Sequence, residues 1–221
     1  MMQRLSGPSR PPAAGGKPRR LVILLHGLGA DGNDLIGLVP HWARLVPTAE
    51  FLSPNAPFPC DIAPFGYQWF SSQDRSPKAV LGGIRAATPI LNTFIDEALG
   101  ERGLSDSDLA LVGFSQGTMM SLYVSLRRDH PVAGVIGFSG RLIAPELLPG
   151  EIRSLPRMLL IHGTDDPLVP YSSLATAEAA LKAANVPVET VTCFGVQHSI
   201  DELGLRRGGL FLQEVLSETR S

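Results

Sequence analysis

The sequence predicts one α/β domain in which helices cover both faces of a mostly parallel sheet. Short, continuous apolar runs recur along the chain, which is typical of strands buried on both faces. Amphipathic helical patterns lie between these runs, and such alternation favours a parallel sheet. The length of 221 residues and the apolar content of 44% suit a single domain that holds its core without a disulfide or a metal ion.

Apolar runs define the strands of this predicted sheet. They are LVILL (21–25), LALVGF (109–114), VAGVIGF (132–138), MLLI (158–161) and VETVTCF (188–194). One helix is predicted from the apolar face over residues 84–98, with Thr88 and Pro89 as an alternative start. Another covers about residues 173–184 and ends at Asn185.

The first twenty residues form a separate region. Residues 1–20 carry five basic and no acidic side chains, and their Pro and Gly content opposes a helix, so we expect a flexible N-terminal arm. The α/β domain then spans 21–221. The arm has no apolar core of the kind that a signal peptide needs, and no stretch approaches the roughly 18 apolar residues of a membrane span.

Charge and cysteine content exclude several classes of function. The net charge of −2 gives no general attraction to nucleic acid or to an anionic membrane, so stable membrane insertion and nucleic acid partners are not expected. Cys60 and Cys193 belong to no metal-binding motif, and neither a disulfide nor a metal site is predicted. We expect Cys193 to be buried and Cys60 to be accessible. Two unpaired thiols fit a cytoplasmic location.

Two connecting segments differ in what they can contribute to a site. Residues 56–80 are long and rich in proline, and a loop of this length in a compact domain is usually a binding loop. Its aromatic residues are candidates for a substrate groove, namely Phe58, Phe65, Trp69 and Phe70; Trp69 is equally compatible with the core. By contrast, the stretch between Gly140 and Arg157 is too short for a cap domain, which predicts an open groove.

A candidate nucleophile lies in the segment GFSQG at 113–117. It matches GxSxG, in which a strand turns sharply into a helix and exposes the serine at the end of the sheet. LALVGF supplies the strand and QGTMMSLYVSLRRD the helical pattern. The alternative is that Ser115 only caps that helix. A similar segment, GFSGR at 137–141, has Arg141 in place of the second glycine.

A serine nucleophile needs a base that is held by a carboxylate. On this type of sheet the partners follow in the order serine, acid, histidine, each after a strand. Asp165 and Asp166 follow the run MLLI, and His198 follows VETVTCF. We therefore expect His198 to be the base. The other histidines are expected to be solvated or to hydrogen-bond turns: His26, His41, His130 and His162.

Stabilising a tetrahedral oxyanion requires preorganised N–H donors. The residue after the serine, Gln116, supplies one backbone N–H. The second is expected from the turn at 26–32, where three glycines permit unusual backbone angles. Such a turn also suits phosphate binding, but it matches neither GxxxxGK[ST] nor GxGxxG.

Several segments together resemble the phospholipase/carboxylesterase family, which includes acyl-protein thioesterases and small bacterial carboxylesterases. They are HGLGADGNDLIGL (26–38), GYQWFSS (66–72), GFSQG (113–117), HGTDDPLVP (162–170) and QHSI (197–200). The likeness covers about residues 21–216. It implies an α/β-hydrolase fold without a cap, often dimeric, that uses no cofactor or metal.

The resemblance also implies a role for each candidate residue. Ser115 is the expected nucleophile, His198 the base, and Asp166 the acid that orients it; Leu28 is the expected second oxyanion donor, beside Gln116. One departure is Gln197, where relatives commonly have glycine, and a positive φ at that position would displace the His198 loop.

The implied activity is hydrolysis of carboxylic esters or thioesters with small to medium acyl chains through an acyl-enzyme. Lysophospholipase and acyl-protein thioesterase activities are the alternatives, because the leaving group is open between an alcohol, a thiol and a lysophospholipid. A ligand-binding protein on the same fold is the non-enzymatic alternative. Its usual signature is a missing triad residue, and none is missing here.

Overall fold

A computed structural model describes residues 4–217, and a seven-stranded sheet forms their centre. The strands of this sheet are β1 (Ser9–Arg10), β2 (Arg20–Leu25), β3 (Ala49–Leu52), β6 (Leu109–Phe114), β7 (Gly134–Phe138), β8 (Met158–Gly163) and β9 (Val188–Cys193). A separate hairpin consists of β4 (Phe58–Pro59) and β5 (Tyr67–Gln68). The main sheet has the order β1-β3-β2-β6-β7-β8-β9. Only the pairing of β1 with β3 is antiparallel in this sheet.

All five predicted strands are confirmed, with shifts of one or two residues at some ends. Strand β2 shows why they form, because its side chains alternate between the two faces. Leu21, Ile23 and Leu25 pack into one apolar cluster and Val22 and Leu24 into the other, all without solvent exposure. An uninterrupted apolar run is therefore required of a strand that helices cover on both sides.

Helices cover both faces of the sheet. They are α1 (Gly32–Leu35), α2 (Val39–Trp42), α3 (Pro77–Arg102), α4 (Gln116–Ser125), α5 (Leu148–Glu151), α6 (Ser172–Ala183) and α7 (Glu202–Leu216). Helices α3, α4 and α6 contribute to one cluster, and α2 and α7 to the other. Among residues 4–217, the segment between β7 and β8 holds only a 3-10 turn and the four-residue α5, and no cap domain. None of the helices in that range has both the length and the apolar character needed to cross a membrane.

Helix α3 begins before the alternative start at Thr88 and runs through Pro89. Ser76 caps its first turn by accepting a hydrogen bond from the N–H of Ala79. The proline ring lies on the exposed side of the helix, and the Thr88 hydroxyl donates to the carbonyl of Ile84 at 2.7 Å. The packing of its buried face thus keeps α3 continuous through Pro89, although proline usually ends or kinks a helix.

The structure differs from the expectation of a flexible arm. Residues 1–3 of that arm lie outside the described part of the chain, but Ser9–Arg10 pair with β3, the outermost of the parallel strands on that side, and so become the edge strand themselves. Leu5 is 7% exposed and packs into the core. The exposed backbone of β3 offers hydrogen bonds that a short polar strand can take without any hydrophobic pattern.

Candidate active site

Ser115 occupies a sharp turn between β6 and α4. Its φ of 54° lies in a region that residues with a side chain rarely adopt. Both glycines of the motif allow close contact of backbones here. A Cβ on Gly113 would lie 2.3 Å from the carbonyl carbon of Gly117, and a Cβ on Gly117 would lie 1.8 Å from the carbonyl oxygen of Leu25. The local sequence therefore fixes the position of the serine between the sheet and the helix.

Asp166 and His198 contact each other directly. The distance from His198 Nδ1 to Asp166 Oδ2 is 2.7 Å. The other carboxylate oxygen of Asp166 accepts the backbone N–H groups of Leu168 and Val169, each at 2.9 Å. Burial alone would raise the pKa of Asp166, but these hydrogen bonds outweigh it and the pKa is lowered. The carboxylate is thus held ionised against the imidazole.

Asp165 has different surroundings from its neighbour. It is exposed, and its side chain accepts a hydrogen bond from the Thr164 hydroxyl at 2.8 Å. No hydrogen bond joins it to His198 in the described part of the chain. Of the two candidate acids, Asp166 is therefore the one that the fold brings to the histidine.

The His198 loop tolerates Gln197. The non-glycine residues with positive φ in the described region are Ser115, Ser139, Ala144 and Asn185. Because Gln197 does not adopt such a backbone, a side chain at this position causes no strain of that kind. The imidazole of His198 lies against the ring of Phe114, with the ring centroids 4.8 Å apart.

Two backbone N–H groups on residues that share a cavity with Ser115 are candidate oxyanion donors. Gln116 is the first residue of α4, where N–H groups have no acceptor within the helix. In the turn after β2, the N–H of Gly29 donates to Tyr67 and that of Ala30 to Gly27. The N–H of Leu28 has no acceptor among residues 4–217. Both free donors belong to residues that line one cavity with Ser115.

The buried histidines confirm the prediction that they hydrogen-bond turns. His26 Nδ1 lies 2.7 Å from the carbonyl oxygen of Gly27, and its Nε2 accepts the N–H of Ala56. Burial lowers the pKa of His26, which matches this neutral arrangement. His162 Nε2 lies 2.9 Å from the carbonyl oxygen of Val169 and 3.3 Å from Asp166. His162 thus supports the loop that carries the acid.

Ser115 and His198 open into a cavity of about 520 Å³. Of the predicted groove residues, Phe70 lines it, but Phe58, Phe65 and Trp69 do not. Phe65 is 74% exposed, and Trp69 is completely buried with its indole N–H donating to the carbonyl of His26. Phe58 is half-buried in the hairpin against the core. Aromatic content alone could not separate wall residues from core residues.

Sequence reasoning missed several residues of this cavity. They are Asp34, Cys60, Ile62, Arg75, Met119 and Arg141. Cys60 was expected to be accessible but is 9% exposed. Cys60, Ile62 and Arg75 lie in the 56–80 segment that was predicted to be a binding loop, but nothing singled them out within it. Arg141 replaces a glycine in the second GFS segment, and that signal did not point to a cavity.

The side chain of Gln116 ties the 68–72 segment to the serine turn. Its oxygen accepts the backbone N–H of Trp69 at 3.0 Å, and its nitrogen donates to the carbonyl of Phe70 and to the hydroxyl of Ser72. The residue that follows the serine thus also fixes one wall of the cavity.

Within the described residues, the cysteines and acidic side chains are not clustered in the way that a metal site requires. No group of three potential ligands is arranged to hold a metal ion among residues 4–217. Cys60 and Cys193 are both free. Burial, with a smaller contribution from a hydrogen bond to Asp201, raises the pKa of the Cys193 thiol to about 12. Cys193 is buried as predicted.

Comparison with known proteins places this geometry in a family. Residues 12–216 match the family model of phospholipases and carboxylesterases. The chain belongs to this family. As a member of it, the chain has an α/β-hydrolase fold, which also agrees with the crystal structure of esterase PE8. That protein is 41% identical, and the two structures align with a TM-score of 0.92 over 96% of this chain and 100% of the other.

Two relatives in the family carry different functional names. Esterase YpfH of Escherichia coli is 30% identical over 190 residues, which cover 85% of this chain and 79% of the relative. Acyl-protein thioesterase 1 of Schizosaccharomyces pombe is 31% identical over 177 residues, covering 76% and 77% of the two chains. The family therefore includes proteins named for oxygen esters and for thioesters.

Proposed function

We propose that this α/β hydrolase cleaves carboxylic esters or thioesters of small to medium acyl chains, with Ser115, His198 and Asp166 as its catalytic triad. The observation that carries the proposal is the 2.7 Å contact between His198 and Asp166 beside the cavity that Ser115 lines. A serine on a strained turn that shares a cavity with a histidine oriented by a buried carboxylate is the arrangement expected for acyl transfer.

The reaction begins when Ser115 Oγ attacks the acyl carbon and its proton passes to His198 Nε2. The N–H groups of Leu28 and Gln116 stabilise the oxyanion, helped by the positive end of the α4 dipole. His198 then gives the proton to the leaving alkoxide or thiolate, and an acyl-enzyme forms. Water attacks this ester after losing a proton to His198, and the carboxylic acid leaves as Ser115 regains its proton. Every step uses side chains and backbone groups of this chain together with water.

A matched substrate series tests this proposal. Oxygen esters and thioesters with the same acyl groups, from acetyl to palmitoyl, are compared by kcat/KM, with a lysophospholipid as a third leaving group. We expect turnover to be highest for small to medium acyl chains and to vanish in folded Ser115→Ala protein. Absence of turnover with every substrate, or equal turnover by the variant, would favour the ligand-binding alternative.

The cavity needs no moving lid. The 57–79 segment, which lines the cavity through Cys60, Phe70 and Arg75, is fixed by the buried Trp69 and by the bonds from Gln116. We therefore expect ordinary saturation with tributyrin through its solubility limit. A sharp increase in rate when droplets appear would mean that this segment moves as a lid.

We further propose that the protein is cytoplasmic and forms a homodimer. The free thiols of Cys60 and Cys193 support a reducing, cytoplasmic location. A homodimer, proposed from the family resemblance, is tested by light scattering of the purified protein. Nucleic acid is not a proposed partner, because the net charge is −2.

A further inference from the structure

Two arginines on the wall of the catalytic cavity have no acidic partner among residues 4–217. We propose that Arg75 and Arg141 form an anion-binding subsite that selects esters or thioesters carrying a carboxylate or phosphate away from the scissile bond. This inference rests on the proposed hydrolase function, because it names the substrate class of the same site.

Arginines elsewhere on the described surface are mostly paired with carboxylates. The paired ones are Arg4, Arg20, Arg85, Arg102, Arg127, Arg128, Arg153, Arg157 and Arg207. Within residues 4–217, neither Arg75 nor Arg141 has a carboxylate oxygen within 4.0 Å. Arg75 makes one long hydrogen bond to the carbonyl of Ser72, at 3.4 Å. Both guanidinium groups therefore keep donors for a ligand.

The two arginines lie where two cavities meet. Together with Val80 they line both the catalytic cavity and an adjoining one of about 450 Å³. Arg141 directly follows Gly140, which lies against the Ser115 turn. A Cβ on Gly140 would lie 3.1 Å from the carbonyl oxygen of Ser115. A substrate held at Ser115 can therefore extend one of its ends past both arginines.

The charges in these cavities favour an anion at this junction. The adjoining cavity adds Lys78 to the two arginines, and its one carboxylate is Glu146. In the catalytic cavity the carboxylate is Asp34, on the wall that follows β2. Neither acid pairs with Arg75 or Arg141 in the described chain. The positive charge at the junction is thus not neutralised locally.

Guanidinium chemistry defines the ligand. Its planar fork of donors fits carboxylate and phosphate oxygens and binds them in a bidentate way. Leu81, Leu142 and Ile143 line the adjoining cavity and offer contacts to an apolar chain. The subsite therefore suits an apolar chain that ends in an anionic group.

Paired esters test this inference and locate the anion. Monoethyl adipate, compared with ethyl hexanoate, places the charge on the acyl side. 6-Acetoxyhexanoate, compared with hexyl acetate, places it on the leaving-group side. We expect the ratio of kcat/KM for the anionic ester to that for its neutral match to fall about tenfold or more, on one of the two sides, in Arg75→Gln/Arg141→Gln protein.

Three controls make the result specific. Arg206→Gln removes an exposed positive charge on α7, away from the cavity, and should leave the ratio unchanged. Arg141→Lys keeps the charge but loses the fork, and should recover part of the ratio. About 0.5 M NaCl should lower the wild-type ratio by screening. An unchanged ratio in the double glutamine variant, on both sides, overturns the subsite while leaving the hydrolase proposal intact.

A binding measurement keeps the two proposals separable. If wild-type protein hydrolyses none of the four esters, the hydrolase proposal fails, and calorimetry with free adipate still tests the arginines. We expect Ser115→Ala protein to bind adipate about tenfold more tightly than the same protein with Arg75→Gln and Arg141→Gln. Equal binding by the two proteins overturns the subsite.

Discussion

Two neighbouring turns, at Ser115 and at Ser139, share a sequence but not an environment. Both serines follow Gly-Phe at the end of a parallel strand, and Gly113 and Gly137 are partners in the register of β6 and β7. Both have positive φ, 54° and 47°. The N–H of each serine donates to the next strand, at 2.9 Å. The two serines therefore have similar backbone conformations, and the backbone does not explain why only Ser115 lines the catalytic cavity.

The difference arises from the residues that follow. After Ser115 a helix begins at once, and Gly117 lets that helix approach β2. Gln116 fixes the adjacent wall, and Ser115 lines the cavity with His198. No helix begins directly after Ser139. The Ser139 side chain is 1% exposed and does not line the cavity. The comparison predicts that the second glycine and the helix of GxSxG decide which of the two serines can react.

The largest expected effect concerns Asp166, the acid that contacts His198. Asp166→Asn removes the carboxylate that orients His198, and we expect kcat to fall on the order of 10⁴-fold. Asp165→Asn is the matched control, because that side chain is exposed and contacts Thr164 instead; kcat should stay within about threefold of the wild type. Steady-state kinetics on one soluble ester measures both. A larger loss in Asp165→Asn would reverse the assignment.

The second glycine gives the next largest effect. Gly117→Ala puts a Cβ 1.8 Å from the Leu25 carbonyl oxygen, so backbone has to move. We expect a loss of about 3 kcal/mol or more in the free energy of unfolding, measured with urea. Gly82→Ala on α3 meets nothing within 4 Å and should raise the free energy of unfolding by about 0.5–1 kcal/mol. If the two variants had equal free energies of unfolding, the close approach of α4 to β2 would not depend on Gly117.

Gln116 gives a smaller effect that sharpens the comparison. Gln116→Ala leaves the buried N–H of Trp69 and the carbonyl of Phe70 without their partner. We expect a loss of about 1–3 kcal/mol in the free energy of unfolding and, because the cavity wall shifts, a fall of about tenfold in kcat/KM. Gln73→Ala is the control, since that exposed side chain makes only a 3.3 Å bond to Asp61. Equal losses in both variants would show that Gln116 does not position the wall.

The sequence predicted the strands that helices bury on both faces. The central strands are long apolar runs, and the triad candidates follow them in order, so β6, β8 and β9 predicted where Ser115, Asp166 and His198 would lie. Strand β3 was missed because its four residues alternate between buried and half-buried positions at the edge of the sheet. Strand β1 is exposed and polar, and only backbone pairing creates it.

Helix α7 escaped prediction for a different reason. Gly204, Gly208 and Gly209 look unfavourable for a helix. In the fold they lie where α7 packs tightly, and a Cβ on Gly209 would come within 2.8 Å of the Trp42 ring. Close packing overrides propensity here. The cavity walls were hard to predict for a related reason, because Trp69 and Phe70 are adjacent in sequence but only Phe70 reaches the cavity.

Covalent labelling tests the central claim most directly. A fluorophosphonate reacts with an activated serine, and mass spectrometry of the digested protein identifies the modified residue. We predict one label per chain, on Ser115, that disappears in Ser115→Ala protein and persists in Ser139→Ala protein. A label on Ser139, or labelling that survives Ser115→Ala, would contradict the claim that the Ser115 turn alone carries the nucleophile.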